Sequence, residues 1–309
     1  MTERVPELSL AAFTGGDPAA REAFSDDLMR GLQRFGFVIL TDHNVPLPLL
    51  DEAYALAERT FALPEADKRR HAGGMRGYTP FGVEHARDSK LPDLKEFWQI
   101  GHDVAPGEAS DLFPPNVWPD AIPEFEPTFR RLFSALNETG KLLLRALAPK
   151  LGLDSAHFDP LVERGTSLLR VLHYPPVAED TPPGAVRSAA HEDINFITIL
   201  VAAKGAGLQL LDRDGTWLPV ETDPRNLIVD SGDMLQRLTN GVIPSTTHRV
   251  VNPAGPNVSR YSMPFFMHPT LETSLAPLPS CVGPEGPKYR PTTAGAFLDQ
   301  RLREIGLKA

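Results

Sequence analysis

Two periodicities divide the chain. Up to about residue 165 the apolar positions recur mainly at helical spacing. In "DPAAREAFSDDLMRGLQRFG" the residues Phe24, Leu28 and Leu32 share one face, Asp17 is a capping residue and Gly36 a stop. This predicts a helix that feeds a short strand, "FVIL" at 37–40. "PLPLLDEAYALAERTFALPEADKRRH" predicts a second amphipathic helix ending near Leu63 and Pro64. The longest helical pattern is "PTFRRLFSALNETGKLLLRALAPKLGL", in which Phe129, Leu132, Phe133, Leu136 and Leu143 cover one face. Between these last two, from "GGMRGYTPFG" to "LFPPNVWPDAIPEF", Gly and Pro interrupt every periodic run and predict loops.

Beyond residue 165 short β-rich runs alternate with turn signals. "SLLRVLHY" (167–174), "FITILVA" (196–202), "GLQLL" (207–211), "TWLPV" (216–220), "NLIVDSG" (226–232), "HRVVN" (248–252) and "RYSMPFFMH" (260–268) are strand candidates. Asp214-Gly215 and Asn240-Gly241 are hairpin-type turn pairs between or beside them. Many short strands are most economically closed into a jelly roll, which removes most exposed edges. The expected fold is mainly β with flanking helices: a double-stranded β-helix over 166–309, with a helix-rich region over 1–165 packed on it as one integrated domain.

With 309 residues, 41% hydrophobic and 23% charged, the composition is that of a soluble globular protein. No apolar run approaches the roughly 18–20 residues needed to span a bilayer. The start "MTERVPELSL" lacks a basic region followed by a long apolar stretch, so no signal peptide is expected and the cytoplasm is the expected compartment. The lone Cys281 allows neither an intrachain disulfide nor a cysteine cluster, so any metal must use nitrogen and oxygen ligands. A net charge of −9 argues against phosphate-driven nucleic-acid binding.

The chemistry concentrates in "HEDINF", residues 191–196. In a strand, side chains two apart project from the same face, so His191 and Asp193 would point together while Glu192 points away. A third ligand must come from another strand, and His248 of "STTHRVVNP", fifty-five residues beyond Asp193, is the best candidate. Two imidazoles and one carboxylate on one side of a metal leave positions open, as a non-haem Fe(II) site requires. A lone histidine is more often a surface or satisfied core residue, and His43, His71, His85, His102, His157 and His268 are read that way. Arg260 and Ser262, again two apart, begin twelve residues past His248. An inward arginine is costly unless an anion meets it, and beside this triad a carboxylate cosubstrate fits better than a structural ion pair.

With these motifs the chain resembles the 2-oxoglutarate- and Fe(II)-dependent dioxygenases of the isopenicillin N synthase-like group. The likeness extends over nearly the whole chain: "VPELSL" is similar to the family's opening strand, "RFGFVILTDHNVP" to its first helix-to-strand passage, "LHYPP" to the strand before the metal motif and "TTAGAFLDQRL" to its C-terminal helix. The resemblance implies that His191, Asp193 and His248 hold Fe(II), that Arg260 and Ser262 bind the distal carboxylate of 2-oxoglutarate, and that Tyr174 donates to the same cosubstrate. The alternative for Tyr174 is a packed core aromatic. Many relatives carry Asn two residues before that tyrosine, where this chain has Leu172. The implied reaction couples oxidative decarboxylation of 2-oxoglutarate by O2 to hydroxylation or other C–H oxidation of a small molecule. Phe196 and Phe265 are candidate cavity walls, and "RGYTPFGVEHARDSK" and the C-terminal helix are where substrate contacts are expected. Two other readings use the same triad: an oxidase of the isopenicillin N synthase type without 2-oxoglutarate, and a zinc hydrolase.

Overall fold

Strands that are apolar at consecutive positions have to be covered on both faces. The computed structural model, which describes residues 4–304 apart from 73, 85–90, 105, 106, 108 and 110–113, shows how. Its strands are β1 (Glu7–Ser9), β2 (Phe37–Thr41), β3 (Gly77–Thr79), β4 (Glu96–Gly101), β5 (Leu168–Tyr174), β6 (Ser188–His191), β7 (Ile197–Lys204), β8 (Leu208–Leu211), β9 (Trp217–Pro219), β10 (Leu227–Ser231), β11 (His248–Val250) and β12 (Arg260–Met267). One sheet runs β1-β2-β10-β7-β12-β5-β4-β3 and the other β6-β11-β8-β9. All pairs are antiparallel except β1 with β2. The large sheet therefore takes strands from both sides of residue 165.

The two faces of the large sheet have different partners. On one, Phe37, Ile39, Leu200 and Ile228 pack with Leu208, Leu210 and Val250 of the small sheet, forming the inside of the roll. On the other, Val38, Leu40, Ile199, Val201 and Val229 join the helices Pro18–Phe35, Leu47–Phe61 and Phe125–Leu147 in the main core. The strand β12 shows the alternation clearly: Met263, Phe265 and Met267 enter the helix-side core, whereas Arg260, Ser262, Pro264 and Phe266 line the cavity inside the roll. Phe265 meets Phe133 edge-on at 5.1 Å, and Phe196 meets Phe158 at 5.7 Å. Neither Phe196 nor Phe265 is thus a wall of the cavity as expected; Phe266 and Phe37 are.

Local signals explain several boundaries. Asp17 accepts from Ala20 N at 2.8 Å, and the helix it caps ends at Gly36 in the left-handed conformation, φ 68°. The second predicted helix is two, because Pro64 starts a separate short helix, Glu65–Arg69. The segment expected to be all loop contains β3 and β4, and β4 is buried at all six positions. Gly215, φ 85°, turns the β8–β9 hairpin as expected. Asn240 and Gly241, both at positive φ, instead follow the helix Asp233–Leu238, which the periodicity did not predict.

Gly36 is required twice over, for its φ and because a Cβ there would collide with the Thr246 side chain. Gly36→Ala is expected to lower unfolding free energy by about 1–2 kcal/mol, read from urea denaturation. An unchanged midpoint would show that the helix end and Thr246 relax freely.

Candidate active site

The triad is assembled by strand register. His248 opens β11 directly opposite His191, the last residue of β6, and the ring centroids lie 4.4 Å apart. Asp193 is not in a strand, contrary to the alternation expected; β6 ends at His191 and Asp193 sits in the turn before β7. That turn is pinned by its own carbonyls, since Asp193 O accepts from Asp233 N at 2.7 Å and Ile194 O from Met234 N at 3.2 Å. These bonds satisfy free donors at the start of the helix Asp233–Leu238. Glu192 turns away and accepts from the Thr247 hydroxyl. Asp193 turns inward, with Oδ1 3.7 Å from His191 Nε2 and 3.8 Å from His248 Nε2.

Each imidazole is oriented from behind. His191 Nδ1 bonds to the Ala189 carbonyl at 2.7 Å and His248 Nδ1 to the Thr246 carbonyl at 3.1 Å. A ring that donates through Nδ1 keeps its Nε2 lone pair for a metal. Burial, then the neighbouring His191, pushes the His248 imidazole down to about 4, so it is neutral at physiological pH. Burial alone would raise the Asp193 carboxyl, but His248, His191 and the Thr198 hydroxyl hold it below the usual range. One ligand atom from each of the three lies within 4.8 Å of the others, and among the described residues no other group of His, Cys, Asp or Glu converges in this way. His85 lies outside the described residues.

Arg260 pairs across the sheet with Tyr174, and Ser262 with Leu172, so these four side chains share the cavity face. The Arg260 guanidinium carbon is 5.1 Å from the centre of the Tyr174 ring. Arg260 is 2% exposed; Nε donates to Gly205 O at 3.4 Å, while Nη1 is buried without a partner among the described residues. His191, Asp193, His248, Arg260, Ser262 and Tyr174 all line one cavity.

The cavity also holds polar residues that sequence reasoning missed. Asp230, in the middle of the apolar β10, is pushed well above the carboxylate range by burial and by Asp193, so it stands beside that residue as a neutral acid. The signal for it was an acid inside an apolar run. Lys95 bonds Asp93 and Glu84, each at 2.8 Å, and Glu84 also takes Arg170 at 2.9 Å. Asp93 Oδ1 accepts from Ala189 N at 2.9 Å, tying this network to the strand that carries His191. No local pattern in the sequence links Glu84 to Arg170, 86 residues away, or Asp93 to Ala189, 96 residues away.

Comparison with known proteins agrees with this geometry. The pattern of the 2OG-Fe(II) oxygenase superfamily matches residues 165–269, and that of the non-haem dioxygenase in morphine synthesis N-terminal family matches 5–121. The 2-oxoglutarate-Fe(II) type oxidoreductase hxnY of Emericella nidulans is 32% identical, over 93% of this chain and 86% of its own length. The chain belongs to the 2-oxoglutarate- and Fe(II)-dependent oxygenases. The proline hydroxylase buaE of Petromyces alliaceus is also 32% identical, over 96% of this chain and 98% of its own. Among solved structures, a 2OG-Fe(II) oxygenase family protein of Caulobacter crescentus matches with TM-score 0.88 and 42% identity, over 98% of this chain and 100% of that one. A full-length Neurospora crassa protein in complex with alpha-KG matches with TM-score 0.88 and 29% identity, covering 97% and 96%. The oxygenase uses Fe(II), 2-oxoglutarate and O2, so neither the zinc hydrolase nor the oxidase without 2-oxoglutarate is retained. No helix among the described residues is long and apolar enough to cross a membrane.

The charge network makes a pH prediction. Burial raises the Glu84 carboxyl, but the Arg170 and Lys95 cations outweigh it and hold it at about 2. A depressed carboxyl stabilises the fold above its unfolded pKa, near 4.3, and that contribution is lost as pH falls toward 2. Glu84→Gln is expected to destabilise the protein at pH 7 and to flatten the loss of stability between pH 5 and 2. Urea unfolding across that window checks both, and parallel profiles for the two proteins would contradict the assignment.

Proposed function

We propose that His191, Asp193 and His248 hold Fe(II), and that Arg260, Ser262 and Tyr174 receive the distal carboxylate of 2-oxoglutarate. The observation that carries this reading is that all six line a single cavity, with the triad converging and Arg260 Nη1 left without a protein partner. The donor set fits the metal: two imidazoles present Nε2 beside a carboxylate oxygen, and three protein ligands leave room for a keto acid and O2. Arg260 fits an anion, because it is a buried cation with no Asp or Glu among its electrostatic neighbours within the described residues.

Bound Fe(II) with 2-oxoglutarate supplies the oxidising chemistry, in which O2 converts the keto acid to succinate and CO2 and a substrate C–H bond is oxidised. The protein's part is placement. Ala189 and Thr246 carbonyls fix the imidazole rings, Thr198 holds the second carboxylate oxygen of Asp193, and Asp230 stands protonated behind it. Arg260 and Ser262, on one strand face, set the far end of the cosubstrate. Phe37, Leu200 and Phe266 give the cavity apolar walls that exclude water from the reaction. Regions 1–165 and 166–309 act together in this reading, because β2 and β4 are built into the sheet that carries β12.

The substrate is a small molecule, oxidised in the cytoplasm. A related Neurospora crassa protein, 27% identical, was solved with alpha-KG and thymine. The lone Cys281 suits a reducing compartment.

Anaerobic addition of Fe(II) and 2-oxoglutarate is expected to give the visible metal-to-ligand charge-transfer band, which Asp193→Ala should abolish together with succinate release in air. Arg260→Gln should raise the KM for 2-oxoglutarate on the order of 100-fold, the worth of a lost charge-assisted pair of hydrogen bonds. Retention of the band in Asp193→Ala, or an unmoved KM in Arg260→Gln, would overturn the respective assignment.

A further inference from the structure

The three ligands of the triad are not held equally. His248 stands in β11, which has a strand on each side, whereas β6, which ends in His191, lies at the edge of its sheet and pairs with β11 alone among the described strands. The His191 side chain is 35% exposed, against 10% for His248 and 7% for Asp193. A four-residue edge strand whose single pairing is interrupted by a register shift leaves its outer backbone groups to be satisfied elsewhere.

At Ala189 those groups have particular partners. The N–H and C=O of one residue leave an antiparallel strand on the same side. Here the N–H donates to Asp93 Oδ1 at 2.9 Å, and the carbonyl takes His191 Nδ1 at 2.7 Å. One residue thus joins the Asp93 carboxylate to the imidazole, although Asp93 is not one of the converging ligands. Beside it Leu94 N donates to Val186 O at 3.1 Å, so this segment runs along the open edge of the chain that leads into β6. Asp93 is itself held from two sides. Its N–H donates to Glu84 O at 2.9 Å, and its Oδ2 accepts from Lys95 Nζ at 2.8 Å. Lys95 leads directly into β4, so the carboxylate carries the position of the large sheet across to the edge of the small one. Asp93 and Lys95 are both buried, and Lys95 and Ser188 line the cavity next to the triad.

We propose that Asp93 is a positioning residue for the metal centre, acting through Ala189 on the His191 ring, and that Lys95 aims its carboxylate. This rests on the Fe(II) reading above and adds a residue outside the ligand set that governs how tightly the metal is held.

The test titrates the full chain, metal-free, with Fe(II) under anaerobic conditions and reads binding by calorimetry. Asp93→Ala, which removes the acceptor, should weaken Fe(II) binding by about 10- to 100-fold, the usual effect of losing a partner behind a metal ligand. Asp93→Asn removes the charge but keeps an amide oxygen that can accept from Ala189 N, and should hold the affinity within about threefold. Stability should sort the other way, because Asp93→Asn takes an acid from Lys95 and lowers the urea midpoint while Fe(II) binding persists. In the metal-free protein, hydrogen exchange at the Ala189 amide should be about 10-fold faster or more in Asp93→Ala and nearly unchanged in Asp93→Asn. Where Asp93→Ala does not fold, its combination with Lys95→Met removes both members of the ion pair, leaves Glu84 with Arg170, and should show the same loss of affinity. Fe(II) binding that is unchanged without the acceptor, or lost equally in Asp93→Asn, would overturn the proposal. A freely exchanging Ala189 amide in the unmutated protein would overturn it without any variant. The unmutated protein also separates the two readings: failure to bind Fe(II) counts against the triad, whereas tight binding that is indifferent to Asp93 counts only against the positioning role.

Discussion

The register of two short strands governs this molecule. His248 stands opposite His191 because β11, three residues long, pairs with β6, four residues long, and a slip by one residue would turn an imidazole to the opposite face. So few backbone hydrogen bonds do not set a register alone. The remaining constraint comes from the inside of the roll. β11 is held on its other edge by β8, with His248 opposite Leu210, and Phe37 of the facing sheet meets the His248 ring edge-on at 5.6 Å. Val250, Leu208 and Leu210 are packed against Ile39, Leu200 and Ile228. Apolar packing between the sheets is therefore what aligns the polar groups.

Burial of charge follows a second logic. A cation inside a roll is stable when an acid neutralises it, and Lys95 and Arg170 obey this through Asp93 and Glu84. Arg260, which lines the cavity, has no such acid among the described residues, and its Nη1 is buried without a hydrogen-bond partner. Asp230 resolves the converse problem by remaining protonated beside Asp193. The paired charges join distant segments of this interior, whereas Arg260 keeps an unused donor on the cavity face.

Much of the fold was legible because local signals agreed with the tertiary ones. Asp17 and Gly36 bracket their helix, and the runs in β2, β7 and β10 announce strands covered on both sides. Those same runs hide which face is which, and so Phe265 was misassigned to the cavity while Phe266 was overlooked. β4 was lost among neighbouring loops because all six of its positions are buried, so it shows no alternation. The helix Asp233–Leu238 spans six residues, too few for a period to register. Of the site, the histidines, Asp193 and the Arg-x-Ser pair were visible as a motif. The network of Glu84, Asp93, Lys95 and Arg170 was not, since it exists only once distant segments meet.

The alternation along β12 has an evolutionary consequence. Met263, Phe265 and Met267 make the bed on which the long helix rests, whereas Pro264 and Phe266 look into the reaction chamber. Selection for a new diet and selection for a sound scaffold therefore act on alternate letters of the same eight-residue word. Changes at Pro264 and Phe266 can therefore reshape the chamber without touching the packing at Met263, Phe265 and Met267, so that chemical diversification need not wait for spare stability.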